Sequence, residues 1–251
     1  MGNEMSIHRR RIAGLLAAAV GATMLAGLPS AATADSSPNT AGVRPAATAS
    51  PKAYVDWLKA KADAGDGDAV EYSKQYQALP AEKQKKYLEY INDRSYFDVF
   101  ANAVEGKGAA RTVMAGGDVV VSSGGSGPEA TQQGGGESGP EAAGSRDMWA
   151  SHWVKVKYFG LEATRVTVKT SYRVKGKNTT KVYPGTAWHK NYIAGTELTH
   201  TPVDEWISAE PADNAHSETV WTFEWWTGIE DTGRHRVWAD YSGFKGGYLK
   251  T

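Results

Sequence analysis

Alternating apolar and polar positions dominate the second half of the chain. One side of residues 164–175 carries Val166, Val168, Thr170, Tyr172 and Val174. The other side carries Arg, Lys, Thr and Ser, and this period of two predicts an antiparallel strand with one buried and one solvated face. The same pattern predicts further strands at 154–158, 181–183, 191–199, 203–208, 217–227 and 234–242.

The spacing of these strands predicts the fold class. Roughly six to eight strands in residues 148–251, separated by Gly, Pro and Asn, predict a mainly β fold with a C-terminal immunoglobulin-like antiparallel β-sandwich. The chain contains no cysteine, which excludes disulfides, thiolate metal sites and cysteine nucleophiles. We therefore expect aromatic packing to hold the two sheets together.

A helical spacing precedes the predicted sandwich. Apolar and aromatic residues recur with helical period from Tyr54 to Leu58, and the glycines at positions 65 and 67 are expected to end this first helix. Later stripes predict a second helix over 68–78, a third after Pro80 and a last one closed by Gly106. Residues 52–105 are thus predicted to form a small α-helical segment, which alone would remove little surface from water.

The start of the chain has the features of an export signal. Arg9, Arg10 and Arg11 precede an apolar run over 12–28, and Ala32-Thr33-Ala34 gives the small-x-small pattern of a cleavage site. The run is about 17 residues, short of the roughly 20 that span a bilayer, and a retained membrane anchor is the alternative. Residues 1–34 are predicted to be a signal peptide, exported by the Sec or the twin-arginine route. We expect a secreted, extracellular protein with no membrane contact after cleavage.

Two segments have the composition of flexible chain. Residues 35–51 are small, polar and contain proline, which predicts a disordered tail. Residues 106–147 are rich in glycine and repeat the sequence Ser-Gly-Pro-Glu-Ala at 126–130 and 138–142. This composition predicts a Gly-rich flexible linker before the β-domain, with at most one short strand at 119–121.

The charge balance argues against two classes of partner. Removing the three Arg and one Glu of residues 1–34 from the 28 basic and 28 acidic residues leaves 25 and 27, a formal net charge of −2. Nucleic-acid binders neutralise phosphates with a basic excess, and anionic lipid attracts a polybasic face. Neither nucleic acid nor a membrane surface is therefore expected as a partner.

Aromatic residues supply the candidate binding site. Eight of the nine Trp residues lie within 148–251. Trp226 and Trp238 fall on strand faces that are otherwise polar, with Arg236 and Tyr241 close to Trp238 in sequence. Exposed Trp, Tyr and Arg side chains stack on sugar rings or anchor protein interfaces, so these four residues are predicted to bind a partner. The alternative is that loops cover the two indoles and make them part of the core.

Catalytic signatures are missing from the sequence. No HExxH or GxSxG motif is present, acidic residues near 63–71 do not fit an EF-hand, and His152, His189, His200, His216 and His235 form no helical zinc pair. Carboxylates for glycoside cleavage can be chosen from Glu205, Glu210, Glu218 and Glu224, but their sequence spacing does not give their separation in space. We therefore predict a protein that is not an enzyme and needs no metal or cofactor, with a secreted hydrolase as the least favoured alternative.

The order of these parts resembles that of a known family. An Ala-rich signal, a disordered start, a small helical part, a Gly-rich spacer and a cysteine-free aromatic β-domain are together typical of secreted proteins of actinobacteria. In plan the chain is similar to the small adaptor subunit of umbrella toxin particles. The resemblance implies a component of an extracellular antibacterial toxin particle that joins a lectin-like subunit to a repeat-containing toxin polypeptide. The alternative is a cell-wall or polysaccharide-binding module with a glycan as its partner.

Overall fold

A computed structural model describes residues 44–104, 106, 109–128 and 144–248. Within them the predicted fold class is confirmed: two antiparallel sheets form a sandwich, and a segment of four helices precedes it. The predicted signal peptide, the predicted tail up to residue 43 and residues 107–108 and 129–143 of the predicted linker lie outside the described residues. None of the described helices is long and apolar enough to cross a membrane.

The described helices are α1, Pro51–Asp63; α2, Gly67–Gln77; α3, Ala81–Asn92; and α4, Arg94–Val104. Capping side chains define where the first two begin. Ser50 Oγ accepts the N–H of Ala53 at 3.1 Å, and Asp66 Oδ1 accepts the N–H of Ala69 at 3.2 Å. Gly65 follows α1 in the left-handed region, with φ of 104°, which ends that helix.

The residues just before α1 correct part of the predicted tail. The sequence predicts disorder up to residue 51, whereas Ala46–Thr48 form a 3-10 helix that leads into α1. The buried Thr48 hydroxyl donates to Asn92 Oδ1 at 3.0 Å, and the Pro45 ring packs beside Gly195. Composition alone misses this order because both contacts reach residues far along the chain.

Sheet 1 is an antiparallel meander whose five described strands follow sequence order. The strands are β1, Arg111–Met114; β2, Val119–Ser126; β3, Ser145–Tyr158; β4, Leu161–Lys175; and β5, Asn178–Asn191. The period of two predicted for 164–175 is confirmed in β4. Val166 and Tyr172 are fully buried, whereas Lys169 and Arg173 lie on the outer face.

The linker predicted for 106–147 contains strands over 111–114, 119–126 and 145–147 and a 3-10 helix over 115–117, which is more order than the one short strand expected at 119–121. Val119 and Val121 are buried and anchor β2 in the core. A Cβ on Gly124 would lie 2.7 Å from Cζ2 of Trp153, and the Phe244 ring fills the equivalent space beside Gly125. Glycine composition indicates flexible chain on average, but in β2 it makes room for aromatic rings of neighbouring strands.

Sheet 2 has five described strands: β6, Thr196–His200; β7, Asp204–Ile207; β8, Ala215–Trp225; β9, Glu230–Asp240; and β10, Gly243–Tyr248. Their order is β10-β9-β8-β6, and β7 pairs with the first part of β8. The strand predicted for 191–199 is divided, because β5 ends at Asn191 and β6 begins at Thr196. The sequence pattern also fails to predict β10, in which Gly246 and Gly247 interrupt the alternation of apolar and polar residues.

Helices and sheets share one hydrophobic core. The Tyr172 hydroxyl of β4 donates to the carbonyl of Asp240 at 2.7 Å and ties the two sheets together. From the helices, Phe97 packs against Phe223 of β8 with ring centroids 5.8 Å apart. Because Phe223 faces the interior of the sandwich, the helical segment completes the core of the sandwich and does not form a separate unit.

Tyrosine hydroxyls fasten the helices to the sheet edge. Tyr87 of α3 is hydrogen-bonded to Tyr54 at 3.0 Å and to Tyr72 at 2.7 Å, and Tyr54 donates to the carbonyl of Tyr192 at 2.6 Å. Burial raises the pKa of Tyr87 to about 12. The hydroxyls therefore stay protonated at neutral pH, and the network satisfies polar groups that burial would otherwise leave unpaired.

Candidate binding surfaces

The outer face of sheet 2 carries an aromatic row that crosses several strands. Trp206 of β7 stands opposite His216 of β8, which stands opposite Trp238 of β9. The Trp206 and His216 rings are 2° from parallel with centroids 4.8 Å apart, and the Trp238 ring follows at 6.4 Å. Gly246 of β10 leaves room for the Trp238 indole, and Tyr248 meets that indole edge-on at 4.8 Å. The row is therefore fixed by ring-to-ring contacts.

Arg236 joins the aromatic row to a charged pair. Its Nε donates to Glu218 Oε2 at 2.6 Å, while Nε of Arg234 lies 3.4 Å from the other carboxylate oxygen. The Arg236 guanidinium also lies over the Trp206 ring, 4.8 Å from its centroid. The residues of this surface, which we name face 2, are Trp206, His216, Arg236, Trp238 and Tyr248.

His216 is the most enclosed member of face 2. It is 9% exposed, and neither of its ring nitrogens has a hydrogen-bond partner among the described residues. Burial, assisted by the positive charge of Arg236, lowers its pKa to about 4. The imidazole is therefore neutral at neutral pH and acts as a flat stacking element between two indoles.

The structure separates the four predicted binding residues. Trp238 and Arg236 lie together on face 2. Trp226 follows the end of β8, and Tyr241 lies between β9 and β10 with its ring centroid 5.9 Å from Nζ of Lys177. Because β8 and β9 are antiparallel and turn just after Trp226, that residue lies at one end of the hairpin and Trp238 near the other. All four residues are partly exposed. The indole Nε1 of Trp226 is buried.

Trp226 lines a cleft of about 660 Å³ between α1 and sheet 2, together with Trp57, Lys61 and His189. Glu224 also lines this cleft and stands directly opposite Glu197 of β6. The register also places Glu224 opposite Glu230 of β9, and Asp204 of β7 opposite Glu218 of β8. Like charges placed opposite each other destabilise an antiparallel pair. Glu197 is not among the carboxylates that the sequence suggested for glycoside cleavage.

The other candidate carboxylates are engaged elsewhere. Glu218 holds Arg236 on face 2, and Glu205 Oε1 accepts the N–H of Gly185 at 2.6 Å. Glu210 precedes Pro211 in the loop before β8, beside Tyr241. Among the described residues, no group of three or more His, Asp or Glu side chains is placed to hold a metal ion.

Two buried histidines meet in the core between the sheets. Nδ1 of His152 lies 2.7 Å from Nε2 of His235, and the indole Nε1 of Trp221 donates to Nδ1 of His235 at 3.2 Å. An indole N–H is only a donor, so the proton of neutral His235 sits on Nε2 and is donated to His152. The proton of neutral His152 is then on its own Nε2. That nitrogen is a hydrogen-bond donor, which does not suit it as a general base.

The outer face of sheet 1 carries a second aromatic surface, which no sequence pattern predicted. Four aromatic residues of β3 and β5 surround one lysine of β4; these residues, which we name face 1, are Trp149, Trp153, Lys169, Tyr183 and Trp188. Trp149 is 39% exposed and Trp188 is 46% exposed. The positions between the rings are occupied by small hydroxyl residues, which are Ser151, Thr167, Ser171 and Thr186.

Cations accompany the rings of face 1. Nζ of Lys155 lies 4.3 Å from the Trp153 ring centroid, and Nζ of Lys169 lies 5.1 Å from that of Trp149. Nζ of Lys181 lies 4.9 Å from the Tyr183 ring centroid. Each of these distances is within the range of a cation–π interaction.

Face 1 lies within a strongly basic surface. The outer sides of β3, β4 and β5 carry eight basic residues against two acidic ones, an excess of six positive charges: Lys155, Lys157, Arg165, Lys169, Arg173, Lys175, Lys181 and Lys190 against Asp147 and Glu162. The whole chain has a formal net charge of zero. The local excess is therefore hidden in the total charge and emerges only when strand register places these residues side by side.

No protein-family model, no curated protein and no solved structure matches this chain. The function is therefore inferred from the two faces, the cleft and the buried histidines themselves.

Proposed function

We propose that this chain is a secreted, non-enzymatic adaptor that joins two partners through face 1 and face 2. The observation that supports the proposal most is the presence of two surfaces rich in Trp and Tyr on the outer sides of one shared core. Residues of this kind contribute most of the binding energy at interfaces. A single packed core holds the two surfaces at a fixed separation, as a bridging subunit requires.

Face 2 has the features of a polypeptide-binding surface. Its Arg236 is already paired with Glu218, so face 2 presents rings more than free charge. Protein interfaces are enriched in Trp, Tyr and Arg and depleted in Lys. The Trp206 and Trp238 rings are held in place by stacking, so they lose little side-chain freedom when a partner binds. We assign the protein partner to face 2 for these reasons.

The resemblance to umbrella-particle adaptors supplies candidate partners. By that analogy the polypeptide bound at face 2 would be a lectin-like subunit or a repeat-containing toxin polypeptide within an extracellular antibacterial particle. Secretion rests on the predicted signal peptide at residues 1–34. No nucleic acid, cofactor or metal enters the proposal.

The arrangement of titratable side chains supports a non-enzymatic role. The His152 nitrogen that is not bound to His235 carries a proton, so the buried pair offers no free base. Burial lowers the pKa of His152 to about 4 and the pKa of His235 well below its usual range. Two neutral histidines that are hydrogen-bonded to each other inside a core are accounted for by packing.

Affinity purification of the tagged full chain from the producer's own culture supernatant tests the adaptor directly. The chain is expected to co-purify in fixed stoichiometry with at least one other polypeptide, and light scattering should give the mass of a complex. Val70→Ala, which truncates an exposed apolar side chain on α2, serves as a control and should co-purify the same material. Recovery of the chain as a free monomer would contradict the proposal.

A further inference from the structure

We infer that face 1 is a binding site for an acidic polysaccharide whose pyranose rings carry carboxylate groups. The inference rests on the proposed function in one respect: face 1 is there one of the two binding surfaces. It gives that surface a ligand class, and it places glycan binding on residues other than Trp226 and Trp238, which the sequence favours for this role.

The register of sheet 1 gives face 1 the shape of a shallow frame. Trp153 and Trp188 stand on either side of Thr167, and Trp149 and Tyr183 stand on either side of Ser171. Neighbouring strands lie about 4.8 Å apart and rise about 3.3 Å per residue, so the frame measures roughly 10 Å by 13 Å. Sugar rings have one apolar face, which the indoles can stack on.

The floor of this frame contains four hydroxyl residues, of which Ser171 and Thr186 are open to solvent whereas Ser151 and Thr167 are buried. Ser151, Lys169 and Thr186 form the middle row, with Thr167 in one ring-bearing row and Ser171 in the other. Hydroxyl groups both donate and accept hydrogen bonds, which matches the hydroxyls on the edge of a sugar ring. The flat indoles therefore suit the apolar face of a pyranose ring, and the hydroxyl residues suit the hydroxyl groups on its edge.

Charge decides that the glycan is acidic. Lys169 occupies the central register position of the frame with its ammonium over the Trp149 ring, and the surrounding surface has an excess of six positive charges. Asp147 shows how the edge of face 1 holds a carboxylate: Arg173 donates to it at 2.8 and 3.0 Å, and the Tyr183 hydroxyl donates at 2.8 Å. A carboxylate on a sugar would meet the same kind of donors around Lys169.

The same composition disfavours a protein partner on this face. Lysine is depleted at protein interfaces because its long, strongly hydrated side chain loses entropy and hydration on burial. Six of the eight basic residues around face 1 are lysines. A linear polyanion leaves such ammonium groups partly hydrated and releases counterions on binding, so a lysine-rich surface suits it better.

Binding of four defined probes to the full secreted chain tests the inference. The probes are polygalacturonate, neutral dextran, polyglutamate and single-stranded oligo-dT. Polygalacturonate is expected to bind tightest, with affinity that falls as salt rises, and dextran weakest. Lys169→Gln and Trp188→Ala should each weaken polygalacturonate binding about tenfold, the range of a single strong contact. Lys52→Gln on α1 is the matched control, because that lysine is highly exposed and distant in the fold, and it should change nothing.

Several outcomes would overturn the inference. Polyglutamate binding as tight as polygalacturonate would show that charge alone is recognised, and tighter oligo-dT binding would assign the face to nucleic acid. Polygalacturonate binding that Trp188→Ala leaves unchanged, or no binding at all, would remove face 1 as a glycan site. Loss of glycan binding would leave the adaptor proposal intact if Trp238→Ala still releases a co-purified polypeptide. Glycan binding by a chain that co-purifies with no polypeptide would instead contradict the adaptor alone.

Discussion

Nδ1 of His152 accepts the Nε2 proton of His235 across 2.7 Å in the core between the two sheets. The hydrogen bond from the Trp221 indole to His235 fixes the direction of this contact. Gly247 of β10 lies against the His152 ring, where a Cβ would collide with the imidazole, and Phe244 is parallel to that ring. The pair therefore supports the last strand of sheet 2 as well as the contact between sheets.

The two buried histidines make the free energy of unfolding depend on pH. Burial lowers the pKa of His152 to about 4, while an unfolded histidine titrates near 6.5. Below about pH 6.5 the unfolded chain takes up a proton that the folded chain refuses, so stability falls as pH falls toward 4. One pKa unit corresponds to about 1.4 kcal/mol, so His152 alone should cost about 3 kcal/mol over that range.

Urea unfolding between pH 7.5 and pH 4.5 measures this effect. The wild-type free energy of unfolding should decrease with falling pH, and His152→Phe should flatten the curve because it removes one of the titrating groups. His200→Gln, at an exposed histidine of β6, is the control and should keep the wild-type slope. A pH-independent wild-type stability in this range would refute the assignment.

The glycines of β2 are expected to be structural. Gly125→Ala should lower the free energy of unfolding by roughly 1–3 kcal/mol, since the new methyl would occupy the place of the Phe244 ring. Gly67→Ala at the start of α2 is the matched control, because no atom lies within 4 Å of a Cβ built there. That change should be neutral or stabilising, because it reduces the entropy of the unfolded chain. Equal effects of the two substitutions would mean that residues 119–126 are not packed as a strand.

The shared core predicts that helices and sandwich unfold together. Phe97→Ala should cost about 3–5 kcal/mol, because it removes a ring that packs on Phe223 and Trp225. Far-UV circular dichroism and tryptophan fluorescence should report one coincident transition in the wild-type chain. A helical signal that melts before the fluorescence changes would show that the helical segment is an independent unit.

The Glu197–Glu224 pair allows a direct test for hydrolysis. We expect the wild-type chain to release no products from a panel of wall polysaccharides. Glu224→Gln should therefore leave every readout of that assay unchanged, while raising stability slightly because it removes a like-charge contact. Product release that this substitution abolishes would overturn the non-enzymatic proposal.

The sequence was informative where a pattern is local. The alternation from Val166 to Val174 predicts both the strand and its buried side, and the stripes around Tyr54 and Tyr87 predict helices. It failed where a neighbour decides the outcome. Gly124 lies in a segment whose composition is typical of a linker. Only the Trp153 ring beside it shows why a strand residue there must be glycine.

The candidate site shows the same limit. Trp238 and Arg236 are close in sequence and fall on one surface, as their positions on β9 predict. Trp149 and Trp188 belong to one surface because β3 and β5 both pair with β4, and strand register cannot be obtained from a single sequence. The positive charge around them is likewise distributed over three strands and cancelled elsewhere in the chain.

Independent loss of two partners distinguishes two separate binding faces from a single binding surface. The full chain carrying Trp188→Ala or Trp238→Ala is purified from culture supernatant, and both co-purified polypeptide and co-purified acidic sugar are quantified. The two-face account predicts that Trp188→Ala reduces the sugar and spares the polypeptide, whereas Trp238→Ala does the reverse, with both variants folded like the wild-type chain. Equal loss of both components in each variant, or loss in neither, would contradict it.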